Sequence, residues 1–175
     1  KNINVKILIN SQNYGKGYSL VRAFNYASEQ GFTHALTLDA DFQHDPKYIS
    51  EMIEIKKSVD IVIGARKFNS KMPYHRKISN LLTSYIISYF TNIKVIDSQS
   101  GYRRYRLNSI INYNYIERGF QFETEVLLKV LSKKQSSLSH IQISTIYNSN
   151  KSHINNIKDT VKFIRLIIRF IFCSI

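Results

Sequence analysis

The sequence is poor in the residues that build cross-links and linkers. Its one cysteine, Cys173, excludes an internal disulfide and a metal site made of several cysteines. With only two prolines and six glycines, it contains no Pro/Gly/Ser-rich linker. No stretch reaches the roughly 18 apolar residues expected of a membrane-spanning helix. One domain is the natural expectation for 175 residues, of which 43% are hydrophobic.

Acidic residues are also scarce, with 12 Asp and Glu against 25 Lys and Arg and a net charge of +13. This balance predicts attraction to polyanions, namely nucleic acid, anionic lipid or phosphorylated substrates. The sequence has no aromatic-plus-basic RNA-binding motif, zinc pattern or helix-turn-helix signal, so no nucleic acid partner is expected. A non-catalytic basic module that binds membrane or nucleic acid remains the alternative to an enzyme.

The first 65 residues alternate between strand and helix patterns. Strands are predicted at 3–9, 35–38 (short and buried) and 59–63, and helices at 18–30 and after Asp45 and Pro46. Gly31 is expected to end the first helix. This alternation favours an α/β fold with a mostly parallel sheet flanked by helices. Ligands of such sheets bind at the carboxyl ends of the strands. Asp39 and Arg66 are each expected just beyond a strand end.

The second half is predicted to contain more helix. Apolar residues with a 3.6-residue period predict a strong helix at 75–93, followed by a loop around 97–101. Further elements are expected at 122–134 (helix), 138–146 (strand) and 157–172 (helix). The helix at 75–93 suits either packing against the sheet or contact with lipid, and the pattern does not separate the two.

The last helix is predicted to be amphipathic and basic. Its basic stripe consists of Lys158, Lys162, Arg165 and Arg169. The stripe is expected opposite an apolar face made of Val161, Ile164, Ile168 and Phe172. This arrangement favours a protein that rests on anionic lipid, and a solvated basic face is the alternative.

Asp39 and Asp41 form the sharpest chemical feature. Two carboxylates one residue apart, on a turn after a strand, can face one ligand. Paired oxygen ligands suit Mg²⁺ or Mn²⁺, which also bind substrate phosphates. The alternative is that both are turn residues and that Asp45 merely caps the next helix.

The segment around these carboxylates resembles a known family. Residues 36–46, with the sequence LTLDADFQHDP, resemble the metal-site segment of family-2 glycosyltransferases, in the branch of dolichyl-phosphate mannose synthases and polyprenyl-phosphate glycosyltransferases. Other matching segments follow in the family's order, at 13–17, 64–66, 70–73, 76–80, 97–103, 122–125, 146–147 and 151–152. The resemblance spans roughly residues 5–170.

The resemblance implies a GT-A fold that is incomplete at its N-terminus. Family members usually begin with further strand–helix units that carry an earlier acidic pair, and nothing in residues 1–35 matches them. We therefore expect a partial catalytic domain at 1–156 and a membrane-proximal helix at 157–175. Because strands would be missing beside the sheet, we expect the chain by itself to be poorly soluble or inactive.

The resemblance also implies site residues. The metal ligands would be Asp39, Asp41 and Gln43. Donor binding would involve Asp39 and Lys16. The acceptor phosphate would be bound by Arg66, Arg76, Asn80 and Lys151, and for Arg66 and Arg76 an ordinary solvated basic surface is the alternative. An ion pair between Asp97 and Arg103 would shape the acceptor pocket, although a purely structural role is an equal alternative. The catalytic set would be Asp39, Asp41 and Arg66.

The implied reaction is an inverting displacement at the cytoplasmic face of a membrane. A polyprenyl phosphate oxygen would attack the anomeric carbon of a GDP- or UDP-sugar; a family-2 glycosyltransferase with another acceptor is the alternative. Because the acceptor is already anionic, the reaction needs positioning and charge stabilisation rather than a strong base. Glu123 and Glu125 are not expected to act as catalysts, because carboxylates are favoured at a helix start by the helix dipole alone. His44 is expected to be a hydrogen-bonding loop residue.

Overall fold

The computed structural model describes residues 5–67, 74–144 and 156–173. Within these ranges the helices are α1 (Lys16–Glu29), α2 (Ile49–Glu54), α3 (Tyr74–Thr91), α4 (Leu107–Ile110), α5 (Phe122–Leu131) and α6 (Asn156–Cys173). The strands are β1 (His34–Thr37), β2 (Ile61–Arg66), β3 (Arg103–Arg106) and β4 (Leu138–Ile143). A 3₁₀ turn at Pro46–Tyr48 leads into α2.

The four strands form one mixed sheet in the order β1-β3-β2-β4. β3 is antiparallel to both of its neighbours, and β2 and β4 are parallel. β1, β2 and β4 therefore point in the same direction, and for β1 and β2 this is what the alternation of the first half predicts. The insertion of β3 between β1 and β2 was not predicted, because residues 103–106 show no apolar strand pattern. The carboxyl ends of β1 and β2 meet the start of β3 at one edge of the sheet.

Both faces of the sheet are covered. In β2, Ile61 and Ile63 belong to the larger core cluster, while Val62 belongs to a smaller one that includes Met52. This alternation follows from the pleat, which sends successive side chains to opposite faces. β1 lies at the end of the described sheet and its side chains are only half-buried, so the prediction of a buried strand at 35–38 was wrong in its burial.

Several local predictions are confirmed. Asp45 caps the 3₁₀ turn by accepting a hydrogen bond from the Lys47 backbone N–H at 3.0 Å, with Pro46 next. Gly31, with a φ of 80°, follows the end of α1. β2 begins and ends later than predicted, so Arg66 is the last residue of the strand rather than a residue beyond it.

The predicted strand at 3–9 is wrong over the part that the structure describes. Residues 5–10 form no strand, and Val5, Ile7 and Ile9 are 71%, 73% and 78% exposed. Arg22 Nη1 donates instead to the Ile9 carbonyl at 2.7 Å, which holds the segment against α1. An extended segment becomes a strand only where its backbone groups find a partner, and in the described sheet β1 pairs with β3 alone.

Helix α6 packs on the same core as the sheet through residues outside its predicted apolar face. Leu166 is buried, and Phe170 contacts Phe90 edge-on with ring centroids 6.0 Å apart. The predicted apolar face is exposed: Val161, Ile164 and Ile168 are each 51% exposed. On the helix this face is adjacent to the basic stripe rather than opposite it. Among the described helices, none has both the length and the hydropathy to cross a membrane.

Candidate functional site

Asp39 lies at the centre of a polar cluster just beyond β1. Its Oδ1 accepts a hydrogen bond from Lys16 Nζ, the first residue of α1, at 2.6 Å. Its backbone N–H donates to His44 Nδ1 at 3.0 Å. Gly101 closes the cluster, because a Cβ there would lie 2.5 Å from Asp39 Oδ2 and 3.0 Å from Lys16 Nζ. The structure thus brings two predicted donor-site residues into contact.

The loop after Asp39 turns tightly. Phe42 has a φ of 61°, and Asp41 Oδ1 accepts a hydrogen bond from the Gln43 backbone N–H at 3.1 Å. Burial lowers the pKa of His44, although Asp39 and Asp41 act to raise it. A neutral ring can accept the Asp39 N–H at Nδ1, so the predicted hydrogen-bonding role of His44 is confirmed.

Glu123, at the start of α5, is a member of this cluster that sequence reasoning missed. Its Oε2 lies 3.3 Å from Lys16 Nζ, its side chain is only 9% exposed, and its Oε1 has no hydrogen-bond partner among the described residues. A carboxylate at a helix start is common, so the sequence contained no signal for this contact. Glu125 is different: it accepts the Glu117 backbone N–H at 2.8 Å and pairs with Lys129 at 2.7 Å, which gives it a structural role.

Asp97 forms a second polar cluster at the end of β2. Its fully buried carboxylate accepts from Arg66 Nε at 2.7 Å, Arg66 Nη2 at 2.9 Å and Asn80 Nδ2 at 2.7 Å. Burial by itself would raise the pKa of Asp97, but the hydrogen bonds and charge of Arg66, together with Asn80, outweigh burial and lower it. Asp97 therefore connects Arg66 and Asn80, two residues predicted to bind the acceptor phosphate.

The predicted ion pair between Asp97 and Arg103 is wrong. Arg103 is fully buried and donates to backbone carbonyls: Nε to Ser100 at 2.7 Å, Nη2 to Ser98 at 2.7 Å and Nη1 to Glu123 at 2.9 Å. Arg66 reaches Asp97 because the end of β2 adjoins the 97–101 loop. The Arg103 guanidinium instead fastens that loop to the start of α5.

Two further residues, Arg76 and Lys151, were predicted to bind the acceptor phosphate. Arg76 is half-buried on α3, one turn before Asn80, and thus on the same side of that helix. Lys151, like the motif segments at 70–73 and 146–147, lies outside the described residues.

The backbone N–H of Gly17 donates to the Arg118 carbonyl at 2.7 Å, so part of the α1 N-terminus is already occupied by the chain itself.

The described residues contain no group of three or more His, Cys, Asp or Glu that could hold a metal. The expected ligand set of Asp39, Asp41 and Gln43 contains two carboxylates and an amide. These oxygen donors fit Mg²⁺ or Mn²⁺, which complete their coordination with water and substrate phosphate. The ammonium of Lys16 on Asp39 marks a place where positive charge is stabilised. The residues present therefore fit such an ion as part of a site.

A sequence profile of glycosyl transferase family 2 matches residues 1–120, more than half of the chain. The chain belongs to glycosyl transferase family 2. This result confirms the family inferred from residues 36–46 and the segments that follow them.

Two curated relatives have names that refer to lipid phosphates. The chain is 33% identical to "UDP-N-acetylglucosamine--dolichyl-phosphate N-acetylglucosaminyltransferase" of Methanococcus voltae, over 78% of this chain and 57% of the relative. It is 26% identical to "Undecaprenyl-phosphate mannosyltransferase" of Micrococcus luteus, over 72% of this chain and 55% of the relative. The chain therefore spans about half the length of these relatives.

Solved structures share the fold. Glucosyl-3-phosphoglycerate synthase from Mycobacterium tuberculosis, in complex with Mn²⁺, UDP and phosphoglyceric acid, superimposes with a TM-score of 0.63 at 12% identity, over 91% of this chain and 53% of that one. Mannosyl-3-phosphoglycerate synthase from Rubrobacter xylanophilus gives 0.61 at 16% identity, over 89% of this chain and 50% of that one. The fold of the family-2 chain is thus the expected GT-A fold.

Proposed function

We propose that this chain is part of a glycosyltransferase that moves a sugar from a nucleotide-sugar to a polyprenyl phosphate, with inversion and with a divalent metal. The observation that carries the proposal is that two charged clusters lie near each other at the same edge of the sheet. Lys16 and Asp39 lie at the end of β1, and Arg66 and Asp97 lie at the end of β2. One strand separates the two ends, so they lie about 10 Å apart, twice the strand spacing.

The first cluster supports donor binding. Asp39 and Asp41 supply the carboxylates, and Lys16 supplies a cation for a phosphate oxygen. A divalent ion held by Asp39, Asp41 and Gln43 would neutralise charge that develops on the nucleoside diphosphate as it leaves. Local contacts orient Asp39, because its backbone N–H donates to His44 and Gly101 packs against its carboxylate.

The second cluster supports acceptor binding. A guanidinium suits a phosphate because its fork matches two oxygens. Asp97 fixes the plane of the Arg66 guanidinium through Nε and Nη2. Arg76, on the same side of α3 as Asn80, would bring a second cation, and Lys151 would bring a third. The phosphate acceptor is anionic at neutral pH, so this arrangement needs no general base.

The names of the relatives favour a polyprenyl or dolichyl phosphate as acceptor, and they differ in the sugar. One name specifies N-acetylglucosamine with UDP, and the other specifies mannose. The proposal therefore commits to the acceptor class and leaves the donor as a GDP- or UDP-sugar, to be identified by assay.

The test is transfer of radiolabelled sugar from a panel of GDP- and UDP-sugars to polyprenyl phosphate, with Mn²⁺ or with EDTA. We expect label in the lipid phase with one donor class, and its loss with EDTA and in Asp41→Ala. The assay is run on the 175-residue chain and on any longer form encoded by the same reading frame.

Two outcomes would contradict the proposal. Absence of label with every donor, in the longest form and at neutral pH, would exclude a polyprenyl phosphate acceptor. Salt-sensitive retention of nucleic acid on filters, indifferent to Mn²⁺, would favour the alternative of a basic binding module.

We also propose that the protein acts at an anionic membrane surface. Helix α3 supports this because its buried side includes the polar residues Asn80 and Ser84, while Leu82, Tyr85 and Tyr89 are 56%, 70% and 70% exposed. The buried side bonds to the 97–101 loop, for example through Asn80 to Asp97. Exposed apolar side chains grouped on one helix face in this way are typical of a surface that contacts a membrane or another protein.

Helix α6 supplies the charge beside that apolar surface. Its exposed apolar face includes Ile164, Ile168 and Phe172, and the neighbouring face carries Lys162 and Arg165, which are also exposed. α6 packs next to α3 through Phe170 and Phe90. Apolar side chains flanked by cations complement a bilayer with anionic headgroups. The cytoplasmic face of that membrane stays a prediction.

Vesicle flotation tests this surface. Vesicles of phosphatidylcholine mixed with phosphatidylglycerol should carry the chain, and phosphatidylcholine alone should carry less. Ile164→Glu with Ile168→Glu should abolish flotation, whereas Ile53→Glu, at an exposed apolar position on α2, should not. A chain that stays unbound and dimerises through α6 in sedimentation would show that a second copy covers this face instead.

A further inference from the structure

Lys16 serves two carboxylates from separate parts of the chain. Its Nζ lies 2.6 Å from Asp39 Oδ1 and 3.3 Å from Glu123 Oε2. Asp39 follows β1, whereas Glu123 is the second residue of α5. The ammonium has three donors on a flexible stem, so it can hold both carboxylates at once.

The two carboxylates depend on Lys16 to different degrees. The Asp39 side chain is 37% exposed and can be solvated, whereas the Glu123 side chain is 9% exposed. Glu123 Oε1 has no hydrogen-bond partner among the described residues, and Lys16 is the cation that its other oxygen meets. A buried carboxylate without a counter-charge is strongly disfavoured. Lys16 is therefore tied to Glu123 more firmly than to Asp39.

The contact with Asp39 conflicts with the proposed role of that carboxylate. Asp39 Oδ1 is directed at an ammonium in this structure, and a divalent ion on the same oxygen would be repelled by that charge. Gly101 leaves little room nearby, because even a Cβ would come within 3.0 Å of Lys16 Nζ. The ammonium and a metal ion thus compete for one carboxylate oxygen.

We propose that Lys16 is an exchangeable counter-ion of this site, an inference that rests on the proposed function. In the donor-free protein its ammonium balances Asp39 and Glu123 together. On loading, Lys16 releases Asp39 to the metal, remains paired with Glu123, and donates to a phosphate oxygen of the nucleotide. Glu123 is accordingly a positioning residue, since it acts on the donor through Lys16.

This exchange makes metal and nucleotide binding mutually dependent. A metal ion that binds alone must compete with the Lys16 ammonium for Asp39. When a nucleoside diphosphate binds together with the metal, its phosphate gives the displaced ammonium a new partner. We expect Mn²⁺ to bind the wild-type chain weakly alone and more tightly with UDP or GDP. Without the Lys16 ammonium, Mn²⁺ should bind more tightly by itself and should gain less from added nucleotide.

The test measures free Mn²⁺ by electron paramagnetic resonance during titration of the 175-residue chain, without any sugar transfer. Lys16→Met should bind Mn²⁺ alone roughly tenfold more tightly than wild type, because a full charge has been removed from the site. In the same variant, UDP or GDP should no longer strengthen Mn²⁺ binding as it does in wild type.

A matched control and a second variant keep the test decisive. Lys129→Met removes a lysine that is also 25% exposed and also paired with a buried glutamate, Glu125, and it should leave Mn²⁺ binding unchanged. Lys16→Met with Glu123→Gln removes the ion pair without leaving a buried charge, and it should reproduce the tighter binding if the single variant does not fold.

Three results have distinct meanings. Mn²⁺ affinity that is unchanged in both Lys16 variants overturns the exchange and leaves the proposed function intact. A gain of the same size in Lys129→Met attributes the effect to overall charge and also overturns the exchange. Mn²⁺ binding that survives Asp39→Asn in the wild-type background shows that the metal is not on Asp39, and it overturns the exchange together with the proposed metal site.

Discussion

Two ion pairs at the same edge of the sheet have nearly equal lengths and different surroundings. Lys16 and Asp39 meet at 2.6 Å with side chains 25% and 37% exposed. Arg66 and Asp97 meet at 2.7 Å with side chains 19% and 0% exposed, and Asn80 adds a third contact. Breaking a buried pair leaves an uncompensated charge, whereas water takes over the partners of an exposed one. Burial, rather than distance, separates a fixed pair from an exchangeable one.

The largest effect should come from breaking the buried pair. Asp97→Asn keeps the shape of the side chain but leaves the Arg66 guanidinium without its counter-charge. We expect the free energy of unfolding to fall by about 3–5 kcal/mol, measured by urea denaturation. Asp45→Asn is the matched control, because Asn caps a helix as well as Asp does, and it should change stability little.

A double-mutant cycle shows whether this loss belongs to the pair. Asp97→Asn combined with Arg66→Met should be less destabilised than the sum of the two single variants. Strict additivity of the two losses would contradict the coupling and would assign the effect of Asp97 to its other contacts, such as Asn80.

Acid should weaken the same pair. Because the pKa of Asp97 is lowered in the folded chain, its contribution to stability is complete above the unfolded pKa of about 3.9 and is lost as pH falls through the folded pKa. Burial also lowers the pKa values of His44 and His140, whose contributions are lost in the same direction but starting near pH 6.5. Urea unfolding between pH 7 and 3 should therefore show two declines.

Asp97→Asn separates these declines. The variant should retain the decline that begins near pH 6.5 and lack the one below about pH 4. A decline below pH 4 that matches wild type in slope would mean that other carboxylates, and not Asp97, govern stability in acid.

A smaller effect is expected from adding a side chain next to the half-buried pair of Lys16 and Asp39. In Gly101→Ala the new Cβ would lie 2.5 Å from Asp39 Oδ2 and 3.0 Å from Lys16 Nζ, both ends of flexible side chains. We expect a loss of about 1–3 kcal/mol in the free energy of unfolding, together with a clear loss of Mn²⁺ binding. Gly119→Ala, whose nearest neighbour would be an ordinary 3.5 Å away, should change neither.

The smallest effect on stability should come from breaking the half-buried pair of Lys16 and Asp39 itself. In Asp39→Asn, Lys16 keeps Glu123 and water solvates the freed ammonium. The free energy of unfolding should change by about 1 kcal/mol or less, while metal-dependent sugar transfer is lost. A loss of stability as large as that of Asp97→Asn would contradict the division into a fixed and an exchangeable pair.

The sequence could predict what depends on local pattern. The helices α1, α3, α5 and α6, the capping role of Asp45 and the glycine after α1 are all confirmed. The pair Asp39 and Asp41 was found from a strand followed by a turn. The contact of Glu123 with Lys16 was missed, because it joins two helix starts that are far apart in the chain and no spacing reports it.

The errors have a shared cause: the sequence pattern does not show which distant group a strand or a charged side chain will pair with. The alternation at 3–9 predicted a strand, yet its described part has no strand beside it and stays exposed. Asp97 and Arg103 lie close in sequence, yet Arg66 reaches the carboxylate and Arg103 binds three backbone carbonyls. β3 was not predicted because buried arginines, rather than apolar residues, occupy its first two positions.

The sequence by itself determined the family, the α/β fold class and the candidate carboxylates, because each follows from residues that are neighbours along the chain. Only the tertiary structure decided that β3 lies between β1 and β2, that Lys16 joins Asp39 to Glu123, and that α3 and α6 turn apolar faces outward. These outcomes depend on which distant groups compete successfully for a buried partner, and burial exists only once the whole sheet and its helices have assembled.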